Sequence, residues 1–108
     1  MHSAIFVHYN GQMTTIISTS AFDDWFNSLR DREAKQRISV RIRRLGSGNP
    51  GQHRTLKGGV SEMKIDYGPG YRIYYTERLG ITYILLCGGD KRTQDADIEI
   101  AVRMAKEL

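Results

Sequence analysis

With 108 residues, 40% of them hydrophobic, the chain can bury one modest core, which excludes a second sizeable domain. Its formal net charge is +4, and its longest apolar stretch, at 81–87, is far shorter than the roughly 20 residues of a membrane-spanning helix. The single cysteine, Cys87, excludes an internal disulfide and a thiolate zinc site. We therefore expect a cytoplasmic protein without membrane association, in which Cys87 is a buried small apolar residue.

The beginning of the chain shows no clear hydrophobic period until a second methionine, Met13. We predict an irregular leader at 1–13 that can lie outside the native domain, with Met13 as an alternative start, and a folded domain at 14–108. The β-branched run within 15–19 then indicates a strand at the edge of a sheet.

An aromatic stripe follows this strand. Ser20 and Asp23 have the spacing of a capping box, which opens a helix. Apolar positions then recur at i, i+3, i+4 and i+7, and we expect them on one buried helix face. They are Phe22, Trp25, Phe26 and Leu29.

A second helix is predicted from a cap at Asp31 to Gly46, where a glycine-rich loop begins. Its apolar face carries Ala34, Ile38, Ile42 and Leu45, and its adjacent basic face carries Arg37, Arg41 and Arg44. Every formally charged residue at 34–60 is Lys or Arg. Such a surface is either a solvated helix face or a binding surface for a polyanion or an acidic partner, and the charge alone leaves both open.

The hydrophobic period then changes to two. Met63, Ile65, Tyr71, Ile73 and Tyr75 alternate with Glu62, Lys64, Arg72 and Tyr74 around a turn at 67–70, which predicts a β-hairpin. The run at 81–87 predicts a central strand ended by a Gly88-Gly89 turn, and a last helix begins near Thr93 or Asp95. The sequence thus predicts an α+β fold in which two N-terminal helices pack on a small antiparallel sheet, with a C-terminal helix and one sheet face partly open.

Common catalytic sets are missing from this pattern. We expect His53, the single histidine of the predicted domain, to be a solvated loop residue, and the absence of metal-binding motifs predicts no metal and no cofactor. The remaining candidates on or near the sheet are cationic or aromatic: Lys57, Lys64, Arg72, Tyr74, Lys91 and Arg92. Arg and Lys suit RNA cleavage by the neighbouring 2′-hydroxyl because they stabilise charge on the phosphorus oxygens, and tyrosine can stack on a base.

Five segments carry a more specific pattern: Phe22–Trp25, Leu56–Ile65, Tyr67–Tyr75, Gly88–Gln94 and Asp97-Ile98. Together with the basic second helix they resemble toxins of the RelE/ParE superfamily, and most closely the HigB-like addiction module killer proteins. The resemblance runs from about Thr14 to the C-terminus. It implies a type II toxin that acts as a ribosome-dependent mRNA endonuclease. Its partners would be the ribosome, mRNA and an antitoxin, a helix-turn-helix protein encoded by the adjacent gene.

The resemblance also implies a set of site residues. Matched residue by residue, the catalytic positions of RelE-like nucleases fall on Lys64, Arg72 and Lys91. The predicted RNA-binding residues are Arg54, Lys57, Tyr74, Arg92, Arg41 and Arg44. The chain departs from RelE at Glu62, where RelE has a further lysine, and it has no clear equivalent of a tyrosine near the last helix.

Two alternatives stay open at this point. A ParE-like protein would inhibit DNA gyrase without catalysis, and it shares the fold without needing cations on the sheet. An inactive toxin would act only as the partner of an acidic antitoxin, binding it through the basic surface.

Overall fold

The computed structural model describes residues 3–9 and 12–108, with side chains from residue 14 onward. The described residues form β1 (Ser3–Tyr9), β2 (Gln12–Ser18), α1 (Ser20–Ser28), α2 (Arg32–Gly46), β3 (His53–Thr55), β4 (Val60–Ile65), β5 (Tyr71–Arg78), β6 (Thr82–Gly89) and α3 (Gln94–Lys106). Short 3-10 turns at Lys57–Gly59 and Lys91–Thr93 precede β4 and α3. The α+β class is confirmed. No helix in the described part of the chain is long and apolar enough to cross a membrane.

One sheet contains the six described strands, in the order β1-β2-β6-β5-β4-β3. Neighbouring strands are antiparallel except β2 and β6, which run parallel. The predicted antiparallel trio is confirmed as β4, β5 and β6. The predicted edge position of the strand at 15–19 is wrong, because β2 lies between β1 and β6 and has a hydrogen-bonded neighbour on each side.

The stretch at 1–13 was expected to be irregular, whereas residues 3–9 form β1. This strand pairs with β2 along its whole length, from Ser3 opposite Ser18 to Tyr9 opposite Gln12. Backbone pairing needs no two-residue alternation of polarity, so a strand can form where the sequence shows no hydrophobic period. The strand-forming types at 5–7, Ile-Phe-Val, were the available signal. That 1–13 lies outside the native domain stays a prediction.

The two N-terminal helices begin at capping residues. Thr19, not Ser20, caps α1: its Oγ1 accepts a hydrogen bond from the Phe22 amide at 3.1 Å and donates one to the Leu86 carbonyl at 2.6 Å. The predicted capping box is therefore one residue out of place. The predicted Asp31 cap of α2 is confirmed, since its Oδ1 accepts hydrogen bonds from the amides of Glu33 and Ala34, and α2 ends at Gly46 as predicted.

The sheet has an apolar cluster on each face. On one face, which we call the helical face, α1 and α2 pack against the sheet, and the buried residues include Ile16, Phe22, Ile38, Ile42, Leu45, Met63, Ile65, Ile73, Tyr75 and Leu85. On the other face α3 packs through Ala101 and Ala105 against Val60, Tyr74, Ile84, Leu86 and Cys87. Because α3 is a single helix, it covers only part of this second face. The prediction that one face stays partly open is confirmed, and so is the burial of Cys87, whose thiol pKa is raised by burial to about 12.

Gly88 and Gly89 do not form the predicted turn. Both lie within β6, opposite Ile73 and Arg72 of β5. A β-carbon on Gly88 would overlap the Trp25 ring on the helical face, and one on Gly89 would overlap the Asp97 carboxylate under α3. Because these two glycines have no side chain, the Trp25 ring and the Asp97 carboxylate can each approach the strand closely, one from each side of the sheet.

Candidate nucleic-acid interface

A polar groove lies on the second sheet face, beyond the N-terminal end of α3. We call it the cationic groove. Its volume is about 340 Å³, and it is lined by Gln52, His53, Arg54, Glu62, Lys64, Arg72 and Gln94. Four elements contribute to it: the edge strand β3, the hairpin β4–β5 and the first turn of α3.

Strand alternation places the charged residues together. Lys64 of β4 pairs directly with Arg72 of β5, and Arg54 of β3 pairs with Glu62 of β4. Directly opposed residues of antiparallel strands share a sheet face, and positions two apart along one strand share it too. The expectation that Lys64 and Arg72 lie near one another is therefore confirmed.

Glu62 is the central residue of the groove. Its Oε1 accepts a 2.8 Å hydrogen bond from Arg54 Nε, and its Oε2 accepts a 2.9 Å bond from Gln94 Nε2. The Nε of Arg72 lies 3.8 Å from the same Oε2. The side chain is almost completely buried, with Glu62 only 4% exposed. Burial raises the pKa of its carboxyl, but the hydrogen bonds from Arg54 and Gln94 outweigh burial and hold the pKa below its usual range.

Arg72 is buried as well, with 6% of its surface exposed. Its Nη1 donates a 2.8 Å hydrogen bond to the carbonyl of Gly70, the residue before β5, which has a φ of +80° in the left-handed region. Arg72 Nε makes no hydrogen bond of good geometry to a described residue. Lys64, beside it, is only half-buried, so the pair offers one buried, hydrogen-bonded guanidinium and one more accessible ammonium group.

Lys91 and Arg92 lie in the 3-10 turn before α3, and both are exposed. The guanidinium of Arg92 binds Asp90 through two contacts, at 2.8 Å and 3.2 Å, which lowers the pKa of the Asp90 carboxyl. Lys91 lies beside Gly70, on the Arg72 side of the groove. The predicted catalytic residues Lys64, Arg72 and Lys91 are thus brought to one region of the surface.

Three predicted RNA-binding residues lie elsewhere. Arg41 and Arg44 are on α2, which packs on the helical face. The Arg41 guanidinium donates to the carbonyls of Lys64, Pro50 and Gln52 at 2.6–3.0 Å, so it holds the loop before β3 against β4. Arg44 is exposed.

Lys57 is in the turn before β4, at the opposite end of that strand from Lys64. It is therefore not part of the cationic groove, although it is exposed.

Tyr74 was predicted to contact RNA, but its ring is fully buried, at 0% exposure, and cannot stack on a base in this structure. The reason is its position opposite Cys87, on the part of the second face that α3 covers. Its hydroxyl lies near Glu62 but outside hydrogen-bonding geometry. Burial, followed by the charge of Glu62, raises the pKa of this hydroxyl above its usual range.

Comparison with known proteins identifies a relative in a bacterium. A Haemophilus influenzae protein, described only as an uncharacterized protein, is 46% identical over 93 residues, which cover 86% of this chain and 94% of that protein. The chain belongs to the family of this Haemophilus protein. No family model matches the sequence.

The central position of Glu62 was not predicted, and neither was the contribution of Gln94. Glu62 was noted only as a departure from RelE. Its place in the alternation with Lys64 was the available signal, because it puts an acidic residue on the same strand face as the cations. No sequence pattern indicates Gln94, whose contact with Glu62 spans 32 residues.

His53 lies in β3 rather than in a loop, and its Nδ1 is 2.8 Å from the Gly51 carbonyl. It is exposed, as expected. Among the described residues, no group of three Asp, Glu, His or Cys side chains is close enough to hold a metal ion.

Proposed function

We propose that this protein is a RelE/ParE-type toxin that cleaves mRNA on the ribosome with arginine and lysine side chains. The observation that carries the proposal is the cationic groove, in which Lys64 and Arg72 are direct cross-strand partners and Lys91 lies beside them. Arg54, Lys64 and Arg72 line the groove with the buried carboxylate of Glu62, and Lys91 adds a positive charge beside it. A surface of this charge attracts the phosphates of a nucleic acid.

The reaction would use the RNA's own 2′-hydroxyl. Its oxygen attacks the adjacent phosphorus, the bond from phosphorus to O5′ breaks, and the products carry a 2′,3′-cyclic phosphate and a 5′-hydroxyl. Arg72, fixed by Gly70, would stabilise the added negative charge on the phosphorus oxygens. Lys64 and Lys91, which are less constrained, would bind the phosphate or transfer the proton that leaves the 2′-hydroxyl or reaches O5′.

A second surface would serve the antitoxin. On the outer side of α2, Arg43 and Arg44 are exposed and Val40 is 40% exposed, whereas Arg37 is held by Glu33 at 2.7 Å. This combination of free guanidinium groups around an apolar side chain suits an acidic partner segment. The surface lies on the helical face, so an antitoxin bound there would leave the cationic groove open.

One observation favours a second candidate, a ParE-like inhibitor of DNA gyrase. Glu62 lies beside two of the groove's cations, Arg54 and Arg72, and its negative charge partly offsets the positive charge that would attract a phosphate. Such a protein would bind gyrase and cleave no RNA.

The experiment is cleavage of a short mRNA on purified ribosomes, followed by primer extension. We expect Arg72→Ala to lower the cleavage rate by about 100-fold or more, the loss typical when a donor to a developing oxyanion is removed. Lys64→Gln and Lys91→Gln should each lower it by about 10-fold or more. Lys106→Gln is the matched control, because Lys106 is an exposed lysine at the far end of α3, and it should cleave as the wild type does.

Arg72→Ala removes a buried side chain, so its thermal unfolding must be compared with that of the wild type. If Arg72→Ala does not fold, Lys64→Gln and Lys91→Gln still test the site, because Lys64 is half-buried and Lys91 is exposed. Full cleavage by folded Arg72→Ala would contradict the site. A wild type that leaves mRNA intact but inhibits gyrase supercoiling would support the second candidate, and one that does neither but binds the antitoxin would identify an inactive toxin.

A further inference from the structure

One carboxylate contacts every element that lines the cationic groove. Glu62 lies on β4 and binds Arg54 of β3, Gln94 of α3 and, at a longer distance, Arg72 of β5. Its side chain is only 5% exposed, whereas that of Arg54 is 56% exposed. The groove therefore has one accessible guanidinium, that of Arg54, and one buried guanidinium, that of Arg72, beside a buried carboxylate.

The two oxygens of Glu62 are both occupied. Oε1 accepts the Nε–H of Arg54 and Oε2 accepts an amide hydrogen of Gln94, with Arg72 Nε 3.8 Å away. A carboxylate that is buried and accepts hydrogen bonds on each oxygen has little capacity to take a proton from a substrate hydroxyl. The geometry thus argues against Glu62 as the base of the reaction.

Arg54 illustrates what the carboxylate does instead. An exposed arginine on an edge strand loses side-chain conformational freedom when a ligand fixes it. Glu62 uses only the Nε–H of Arg54, one of the five N–H donors of a guanidinium. The remaining donors are held in one orientation before any phosphate arrives.

We propose that Glu62 is a positioning residue that holds Arg54 and Arg72 in one arrangement for an RNA phosphate, and that Gln94 in turn holds Glu62. The identity of the ligand rests on the proposed function, but the positioning itself does not.

The proposal predicts that Glu62→Gln lowers turnover without weakening the binding of RNA. Glu62→Gln keeps the size of the side chain and removes its negative charge, so the groove becomes more positive while the two arginines lose their ionic partner. Binding of an uncleavable RNA analogue, with a 2′-deoxy group at the cleaved position, should be unchanged or up to about threefold tighter. The turnover of ribosome-bound mRNA should fall by about 10-fold or more.

Glu99→Gln is the control for charge, because Glu99 is an exposed residue of α3 and the substitution changes the net charge equally. We expect it to leave turnover unchanged. Gln94→Leu should repeat the Glu62→Gln loss of turnover in weaker form. Turnover by Glu62→Gln equal to that of the wild type would overturn the proposal. So would loss of the acidic limb of its pH–rate profile, which would identify Glu62 as a base instead.

A spectroscopic readout separates this proposal from the proposed function. In protein labelled with ¹⁵N-arginine, the Arg54 Nε–H should exchange slowly with water in the wild type and at least about 10-fold faster in Glu62→Gln. Arg54→Lys assigns the signal. If the signal behaves so while the wild type cleaves no RNA, the positioning stands and the proposed function fails. If Arg54 exchanges as a free arginine in the wild type, the positioning fails whatever the activity.

Discussion

The two faces of the β4–β5 hairpin differ most at its turn end, beyond Val60 and Tyr74 that α3 covers, although they are made by the same two strands. On the helical face Met63, Ile65 and Ile73 are buried under α1 and α2. On the other face Lys64 and Arg72 alternate with them and line the cationic groove. The first face gains stability from apolar burial, and the second uses charged groups that must each find a partner or water.

This difference shows how a small sheet separates stability from binding. A strand side chain points to one face only, so a change on one face leaves the other largely intact. The separation is incomplete where a side chain from the helical face binds the backbone of a residue whose own side chain lies on the other face. Arg41 is such a residue, since it comes from α2 and binds the carbonyl of Lys64.

The largest expected effect on stability concerns the adjacent Gly88 and Gly89, where added side chains would point to opposite faces of the sheet. Gly88→Ala would push a methyl group into the Trp25 ring on the helical face, and we expect a loss of about 3 kcal/mol in the free energy of unfolding. Gly89→Ala would meet the Asp97 carboxylate, which can move with the start of α3, and we expect about 1 kcal/mol. Urea unfolding measures both.

RNA binding should show the reverse order, because only Gly89→Ala disturbs the side of the sheet that carries the cationic groove. An RNA affinity reduced more by Gly88→Ala than by Gly89→Ala, in folded protein, would show that the two faces are not separable.

Arg41 and Arg44 belong to the same predicted basic helix face but should differ in their contribution to stability. Arg41→Ala removes a donor from three backbone carbonyls, of which that of Gln52 keeps the Lys64 amide, and we expect a loss of about 2 kcal/mol in the free energy of unfolding. Arg44 is exposed, and Arg44→Ala should change this free energy by less than about 0.5 kcal/mol. Equal stability of the two variants in urea unfolding would contradict the structural role of Arg41.

The smallest effect concerns the pH dependence of two carboxylates on the groove face. The pKa of Glu62 is lowered from 4.5, so its contribution to stability is present above about pH 4.5 and is lost as pH falls through the lower, folded value. The pKa of Asp97 is raised from 3.8, mainly by burial, so its contribution is present below about pH 3.8 and is lost as pH rises through the folded value.

Glu62→Gln should therefore lose less stability than the wild type on acidification. Asp97→Asn should gain stability relative to the wild type as pH rises. Urea unfolding between about pH 3 and pH 7 tests both signs. Parallel curves for the wild type and the two variants would show that neither carboxylate is coupled to folding.

Local patterns in the sequence were sufficient for much of the fold. The cap at Asp31, the end of α2 at Gly46 and the pairing of Lys64 with Arg72 depend on residues within a few positions of one another or on strand alternation. The same local reasoning failed at β1, where pairing with β2 makes a strand of residues without a polarity period.

The sequence by itself thus determined the α+β class, the helices and the hairpin with its cations on one side. Only the tertiary structure decided which polar side chains of the predicted site are available to a ligand. Arg41 is occupied by carbonyls up to 23 residues away, Tyr74 is covered by α3, and Glu62 is held by a glutamine 32 residues away. The physical reason is that burial and hydrogen bonding of a side chain depend on which distant element covers its face, and no short-range pattern records that.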